Sequence, residues 1–188
     1  MNGEIKDITL EMKIFKSRPR HPIEDDVLRD AFPHAVMEAI KWGHAGAVLD
    51  KESNMSNQSS VCYLLSTELA MKGLLMNSGI NVTKCHNYGH DISKLFKDLD
   101  DDIKDNLKNT VQWDQSPLYS LFPEKVEFKS FEEELEYVAN DFMSLRYEFE
   151  TFLNGKAIFL FGTFIRNLAI QTLKIANQKL TEAIKAEL

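Results

Sequence analysis

The pattern of apolar and polar positions predicts a chain that is mainly helical. The clearest helical pattern begins at Phe131, where apolar residues recur four and three positions apart, as in a seam between two packed helices. The positions of this seam are Phe131, Leu135, Val138, Phe142, Leu145, Phe149 and Phe152. A helix is therefore predicted from Phe131 to the turn at Asn154 and Gly155.

Two earlier segments show the spacing of helices that bury an apolar face. The first starts near residues 24–26 and runs to Leu49, although Pro33 either kinks it or moves its start to Phe32. The second covers residues 59–77 and is apolar on most sides. A helix with so little polar surface is predicted to lie at the centre of the fold.

The rest of the helical pattern completes an antiparallel bundle of about five helices. Gly79 is predicted to cap the second helix, and residues 81–89 are predicted to form a loop. Asp91 is predicted to cap a helix over residues 92–107, whose acidic middle is interpreted as a solvent-exposed face. The last helix is predicted over residues 156–186, and the short connections favour antiparallel neighbours.

The first 23 residues follow a different pattern. Apolar and polar side chains alternate over residues 7–15, which is the period of a half-buried strand, and the Pro-containing residues 16–23 indicate a connector. The chain is therefore divided into a strand arm with its connector, residues 1–23, and a helical domain, residues 24–188. A lone strand needs a partner. This arm either pairs with its copy in a second subunit or lies over its own bundle.

Composition narrows the class of protein. The 188 residues, 44% of them hydrophobic, suit one domain with a real core. No apolar run approaches the roughly 20 residues that span a bilayer, no signal peptide is evident, and two cysteines are too few for a disulfide framework. A cytoplasmic protein without a membrane span is predicted. The net charge of −7 argues against a generalist nucleic-acid binder but leaves room for a local basic groove.

Several short motifs together resemble the HEPN family of small helical bundles. They are Glu68 and Lys72 on one helix, the helix start at His90–Asp91, and Arg146 with Tyr147 near the end of a later helix. The resemblance implies an all-α antiparallel bundle that forms a homodimer. Some members of the family cut RNA, and others are binding or dimerisation modules. Some are encoded with a nucleotidyltransferase as a toxin–antitoxin pair or act in defence against phage, which implies a partner of that kind.

The ribonucleases of this family carry an Arg followed, after four to six residues, by a His. An imidazole can take a proton from the 2′-hydroxyl of RNA, and a guanidinium can hold the phosphate charge. Neither Arg146 nor Arg166 is followed by His at that spacing, and Gln171, which stands five residues after Arg166, cannot exchange a proton. The catalytic residues are therefore unknown, with these two arginines as candidates. The predicted ligand-binding residues are Arg146, Tyr147, Glu150, Arg166, Asn167 and Gln171.

The sequence thus predicts a HEPN-like dimeric module that binds a partner protein, RNA or a nucleotide, without a cofactor. One alternative is a metal-independent endoribonuclease that uses Arg146 or Arg166 with an unrecognised base. Another is a purely structural bundle. Cys85, His86 and His90 are of the residue types that bind zinc, but no second Cys or His pair has ligand spacing, so no metal site is predicted.

Overall fold

The computed structural model describes only part of the chain. The described residues are 26–52, 55–111, 128–146 and 162–187. Within them, the side chains that are not described are those of residues 26–30, 141, 143–146 and 187. The strand predicted at residues 7–15 lies outside the described residues.

The described residues form seven helices and contain no strand. The helices are α1 (Asp26–Leu49), α2 (Ser56–Asn77), α3 (Val82–Asn87), α4 (Ile92–Lys97), α5 (Asp101–Thr110), α6 (Phe131–Arg146) and α7 (Gly162–Glu187). The predicted all-α class is confirmed for this part of the chain, whereas the prediction of about five helices was too low. No helix in the described ranges combines the length and the apolar character needed to cross a membrane.

Helix α2 lies at the centre of the bundle, as its apolar circumference predicts. It packs against α1, α3, α4, α6 and α7, and it starts three residues before the predicted position. Several of its polar side chains are buried as well, and some of their hydroxyl groups use backbone carbonyls as partners. Ser66 Oγ donates to the carbonyl of Ala39 at 2.8 Å, and Thr67 Oγ1 donates to the carbonyl of Tyr63 at 2.9 Å. These bonds offset the cost of placing hydroxyl groups in the core.

Helices α1 and α2 approach each other closely because each has a glycine at the contact. A Cβ atom on Gly46 would lie 2.9 Å from the ring of Tyr63, and one on Gly73 would lie 3.1 Å from Val36. Ser59 Oγ also donates to the carbonyl of Gly46 at 3.0 Å. Pro33 lies inside α1, so the alternative in which this helix begins at Phe32 is wrong.

The end of α2 has the geometry that its Ser-Gly sequence predicts. Gly79 has a φ of +90°, the left-handed region that glycine adopts without a Cβ penalty. The amide of Ile80 donates to the carbonyl of Leu75 at 2.9 Å, and the amide of Gly79 donates to that of Met76 at 3.0 Å. This pair of bonds is the Schellman motif, which satisfies carbonyls left open at a helix end.

The predicted loop over residues 81–89 is wrong, because it contains α3. Asn81 starts this helix by accepting a hydrogen bond from the backbone amide of Lys84 onto its side chain at 2.8 Å. Asn is a strong capping residue, so a local signal for the short helix was present in the sequence.

The single helix predicted over residues 92–107 is also wrong, because it is divided into α4 and α5. The break falls in an acidic stretch whose side chains bind neighbouring elements. Asp98 accepts a hydrogen bond from the hydroxyl of Tyr88, and Asp100 accepts one from Ser78. Aspartate competes with the helical backbone through such bonds, which explains why the periodic apolar pattern did not keep the helix continuous.

Helix α6 presents the predicted apolar seam to the core. Phe131, Leu135, Val138 and Phe142 are all buried, while the side chain of Leu145 and residues 149 and 152 are not described. The ring of Phe131 lies 5.1 Å from that of Phe96 and 5.6 Å from that of Phe164, between ring centroids. These contacts join α6 to α4 and α7. Residues 156–161 of the predicted last helix lie outside the described ranges.

Candidate functional site

A buried ion cluster brings together residues that carry the resemblance to the HEPN family. Glu68 on α2 is only 3% exposed, and both of its carboxylate oxygens accept hydrogen bonds. Its Oε1 accepts from Nζ of Lys72 at 2.7 Å, and its Oε2 lies 2.8 Å from Nδ1 of His90. A buried carboxylate needs such partners, because an unpaired buried charge is strongly unfavourable.

Lys72 also fixes the turn that precedes α4. Its ammonium donates to the carbonyl of Gly89 at 2.8 Å, and Gly89 has a φ of +60°. The side chains of Glu68, Lys72 and His90, together with the Gly89 carbonyl, form what we call the Glu68 cluster. This cluster joins the middle of α2 to the turn between α3 and α4.

His90 connects the Glu68 cluster with the protein surface. Its side chain is 39% exposed, although Nδ1 bonds to a buried carboxylate. Its ring meets that of Phe142 on α6 edge to face, with 6.1 Å between the ring centroids. The imidazole is therefore held in a defined orientation by a carboxylate on one side and an aromatic ring on the other.

Asp91 caps α4, as predicted. Its Oδ1 accepts from the backbone amide of Lys94 at 3.0 Å, and its Oδ2 lies 2.9 Å from Nζ of the same residue. Burial acts to raise the pKa of Asp91, but the hydrogen bonds and the charge of Lys94 outweigh it, helped by the amide of Ser93. The pKa of Asp91 is therefore below its ordinary value.

A polar cleft of about 210 Å³ lies between the α3–α4 turn and α6. Its lining residues, which define the His90 cleft, are Tyr88, His90, Asp91, Ala139 and Asn140. The hydroxyl of Tyr88 bonds to Asp98, and this bond raises the pKa of Tyr88 above its ordinary range. The cleft thus offers an imidazole, an amide and a carboxylate to a ligand.

Sequence analysis missed Tyr88 and Asn140 as members of this site. Tyr88 stands next to the Gly89–His90 motif, so its position in the chain was a usable signal. Asn140 carries no such signal, because its place beside His90 depends on how α6 packs against the turn.

The predicted α7 residues lie on another surface. Nη1 of Arg166 is 3.1 Å from Oδ2 of Asp50, just after α1, and this Arg side chain is 55% exposed. Asn167 and Gln171 are half-buried on the same helix. The Glu68 cluster is instead built from α2 and the α3–α4 turn, so the structure does not unite Arg166 with His90.

Arg146 is the last residue of α6, and its side chain is not described. Its backbone follows Phe142 by four residues, which places it about one turn further along the same helix face. The ring of Phe142 is the α6 group that meets His90 edge to face. Tyr147 and Glu150, the other predicted ligand-binding residues, lie outside the described ranges.

The described part of the chain holds no group of three or more His, Cys, Asp or Glu side chains that could bind a metal ion. Cys85 is buried, and burial raises the pKa of its thiol, as it does for Cys62. A raised pKa disfavours the thiolate that would act as a ligand or nucleophile.

Comparisons of the chain with protein-family models, with curated proteins and with solved structures find no significant match. The likeness to the HEPN family therefore depends on the motifs and on their positions in the chain. The chemistry of the His90 cleft is the remaining basis for assigning a function.

Proposed function

We propose that the chain is a HEPN-like module that forms a homodimer and binds RNA or a nucleotide at the His90 cleft. The supporting observation is the half-exposed imidazole of His90, which a buried carboxylate orients toward a polar cleft. Neither candidate arginine has the downstream histidine of the family's ribonucleases, so the proposed role is binding without cleavage. A partner protein, such as a nucleotidyltransferase-type antitoxin, is the alternative ligand.

The chemistry of the cleft suits a nucleotide. The Asn140 amide and the Asp91 carboxylate can pair with the donor and acceptor groups of a base edge. The bonds of Glu68 fix His90 before a ligand arrives, which reduces the entropy lost on binding.

Binding is tested by fluorescence anisotropy with labelled single-stranded RNA in EDTA, followed by a denaturing gel. We expect the RNA to stay intact and Asn140→Ala to weaken binding about tenfold, equivalent to about 1.4 kcal/mol. Asn177→Ala, which changes an exposed Asn on α7, is the matched control and should bind normally.

The Asn177→Ala control and a mass measurement by light scattering distinguish the possible results of this test. Equal affinity of wild type, Asn140→Ala and Asn177→Ala for RNA would contradict the assignment of the cleft. Absence of binding to RNA, nucleotides and protein partners would favour a purely structural bundle. A monomeric mass by light scattering would contradict the proposed homodimer.

A metal-independent endoribonuclease is the second candidate, and the contact between Glu68 and His90 favours it. A carboxylate that holds one imidazole nitrogen is the usual support of a general base. His90 would take the 2′-hydroxyl proton while the 2′-oxygen attacks phosphorus, and the departing 5′-oxygen would take a proton from water. RNA is incubated in EDTA with wild type and with three variants. Cleavage that is lost in His90→Asn and in Arg146→Ala, but kept in Arg166→Ala, would establish this activity. It would also contradict the proposal that the cleft binds RNA without cleaving it.

A further inference from the structure

A second cavity, of about 310 Å³, lies between α1, α2 and α3. We call it the Trp42 groove, and its characteristic lining residues are His34, Trp42, Leu69, Met76, Val82 and His86. Its volume falls at the lower end of the range of small-molecule sites, about 300–1,000 Å³. It shares Lys72 with the Glu68 cluster, but none of its lining residues belongs to α6.

The walls of the groove are mainly apolar. Trp42 is 39% exposed, and it is one of two large hydrophobic side chains that are exposed in the described ranges. Leu69, Met76 and Val82 are only half-buried around the same cavity. An indole beside aliphatic side chains forms a surface on which a flat ring can stack, which would remove this apolar area from water.

The polar groups of the groove favour an anion. His34 on α1 and His86 on α3 are both exposed and line the groove from two different helices. Lys72 uses two of its three N–H donors, one on Glu68 and one on the Gly89 carbonyl. The acidic residue in the lining, Glu38, is paired with Lys41 at 2.5 Å. The third N–H of Lys72 and the ring N–H groups of His34 and His86 are therefore the donors that the groove offers to an anion.

We infer that the Trp42 groove binds a flat aromatic ring that carries an anionic group. The ring stacks on Trp42 between Leu69 and Met76, and the anion lies near His34 and His86. A free aromatic carboxylate and a nucleotide both supply this chemistry. The site is separate from the His90 cleft, so it does not depend on the proposed RNA binding.

Trp42 provides a direct readout of ligand binding. The chain has two tryptophans, so Trp113→Phe leaves Trp42 as the only one. The fluorescence of this variant is titrated with cinnamate and with neutral cinnamamide, and then with AMP and with adenosine. We expect saturable quenching, with each anion binding about tenfold more tightly than its neutral analogue, or about 1.4 kcal/mol. Tighter binding of AMP than of cinnamate would identify a nucleotide as the source of the ring, and the reverse would identify an aromatic acid.

Variants of the exposed histidines show how much of the affinity comes from the anionic group and how much from the ring. In His34→Gln/His86→Gln, the affinity for cinnamate should fall to that for cinnamamide, while His44→Gln, an exposed α1 residue outside the lining, should bind like the parent. Circular dichroism checks that each variant is folded. Asn140→Ala should leave cinnamate binding unchanged, which separates this groove from the His90 cleft. Unsaturable quenching, or equal affinity for cinnamate and cinnamamide, would overturn the inference.

Discussion

Oε2 of Glu68 lies 2.8 Å from Nδ1 of His90, a contact between residues 22 positions apart in the chain. The other carboxylate oxygen accepts a hydrogen bond from Nζ of Lys72, so both oxygens of this buried carboxylate have a partner. The position of His90, and with it the shape of the His90 cleft, therefore depends on its contact with Glu68.

Replacing Lys72 should destabilise the fold strongly. In Lys72→Met, the buried Glu68 loses its cationic partner, and we expect the free energy of unfolding to fall by about 3–5 kcal/mol. Urea denaturation measures this loss. Lys41→Met, which breaks the exposed pair with Glu38, is the matched control and should cost about 0–1 kcal/mol.

The double variant Glu68→Gln/Lys72→Met tests the reason for that loss. Because the uncharged amide costs less to bury than a carboxylate, this double variant should be more stable than Lys72→Met alone. Additive losses would show that the charge of Glu68 is not the cause.

Asp91 should stabilise the protein in a pH-dependent way. At neutral pH, Asp91→Ala should cost about 1 kcal/mol, because the cap of α4 is lost. Since the pKa of Asp91 is lowered by folding, the ionised carboxyl contributes stability above its ordinary pKa of about 4. That contribution is lost as the pH falls through the lower pKa of the folded state. The stability advantage of wild type over Asp91→Asn should therefore shrink below about pH 4 in urea denaturation, and a constant difference would contradict this account.

Gly79 should tolerate a side chain poorly because of its backbone angle and not because of crowding. No atom lies within 4 Å of a Cβ at this position, but its φ is +90°. We expect Gly79→Ala to lower the thermal midpoint, with a cost of about 1–2 kcal/mol. Gly162→Ala also meets open space, but in a helix, so it should be neutral or slightly stabilising. Equal effects of the two substitutions would show that the left-handed angle is not the cause.

Gly46 should also tolerate a side chain poorly, but because of crowding and not because of its backbone angle. A Cβ would lie 2.9 Å from the buried ring of Tyr63, so Gly46→Ala should cost about 1–3 kcal/mol through overpacking. Chemical denaturation of Gly46→Ala in the wild-type and Tyr63→Leu backgrounds isolates this contact. The substitution should cost less when the ring is absent, and an unchanged cost would place the strain elsewhere.

Local sequence signals predicted much of the fold. The apolar circumference of α2 placed it at the centre, and Gly79 and Asp91 marked helix ends that the structure has. The two helix ends depend on residues within about one helical turn, and the apolar pattern of α2 lies within one continuous segment. The same reasoning failed for α3 and for the break between α4 and α5, because the cap at Asn81 was overlooked and Asp98 bonds to a side chain ten residues away.

For the candidate sites, the sequence by itself identified only part of the residues that the structure brings together. The resemblance to the HEPN family singled out Glu68, Lys72 and His90, but the sequence did not show that one carboxylate would contact both of the other side chains. Only the tertiary structure decided that His90 meets Glu68 and Phe142, and that Trp42 and His86 line one groove. The physical reason is that helices and caps form from neighbours in the chain, whereas ion pairs and cavities form where distant helices pack together.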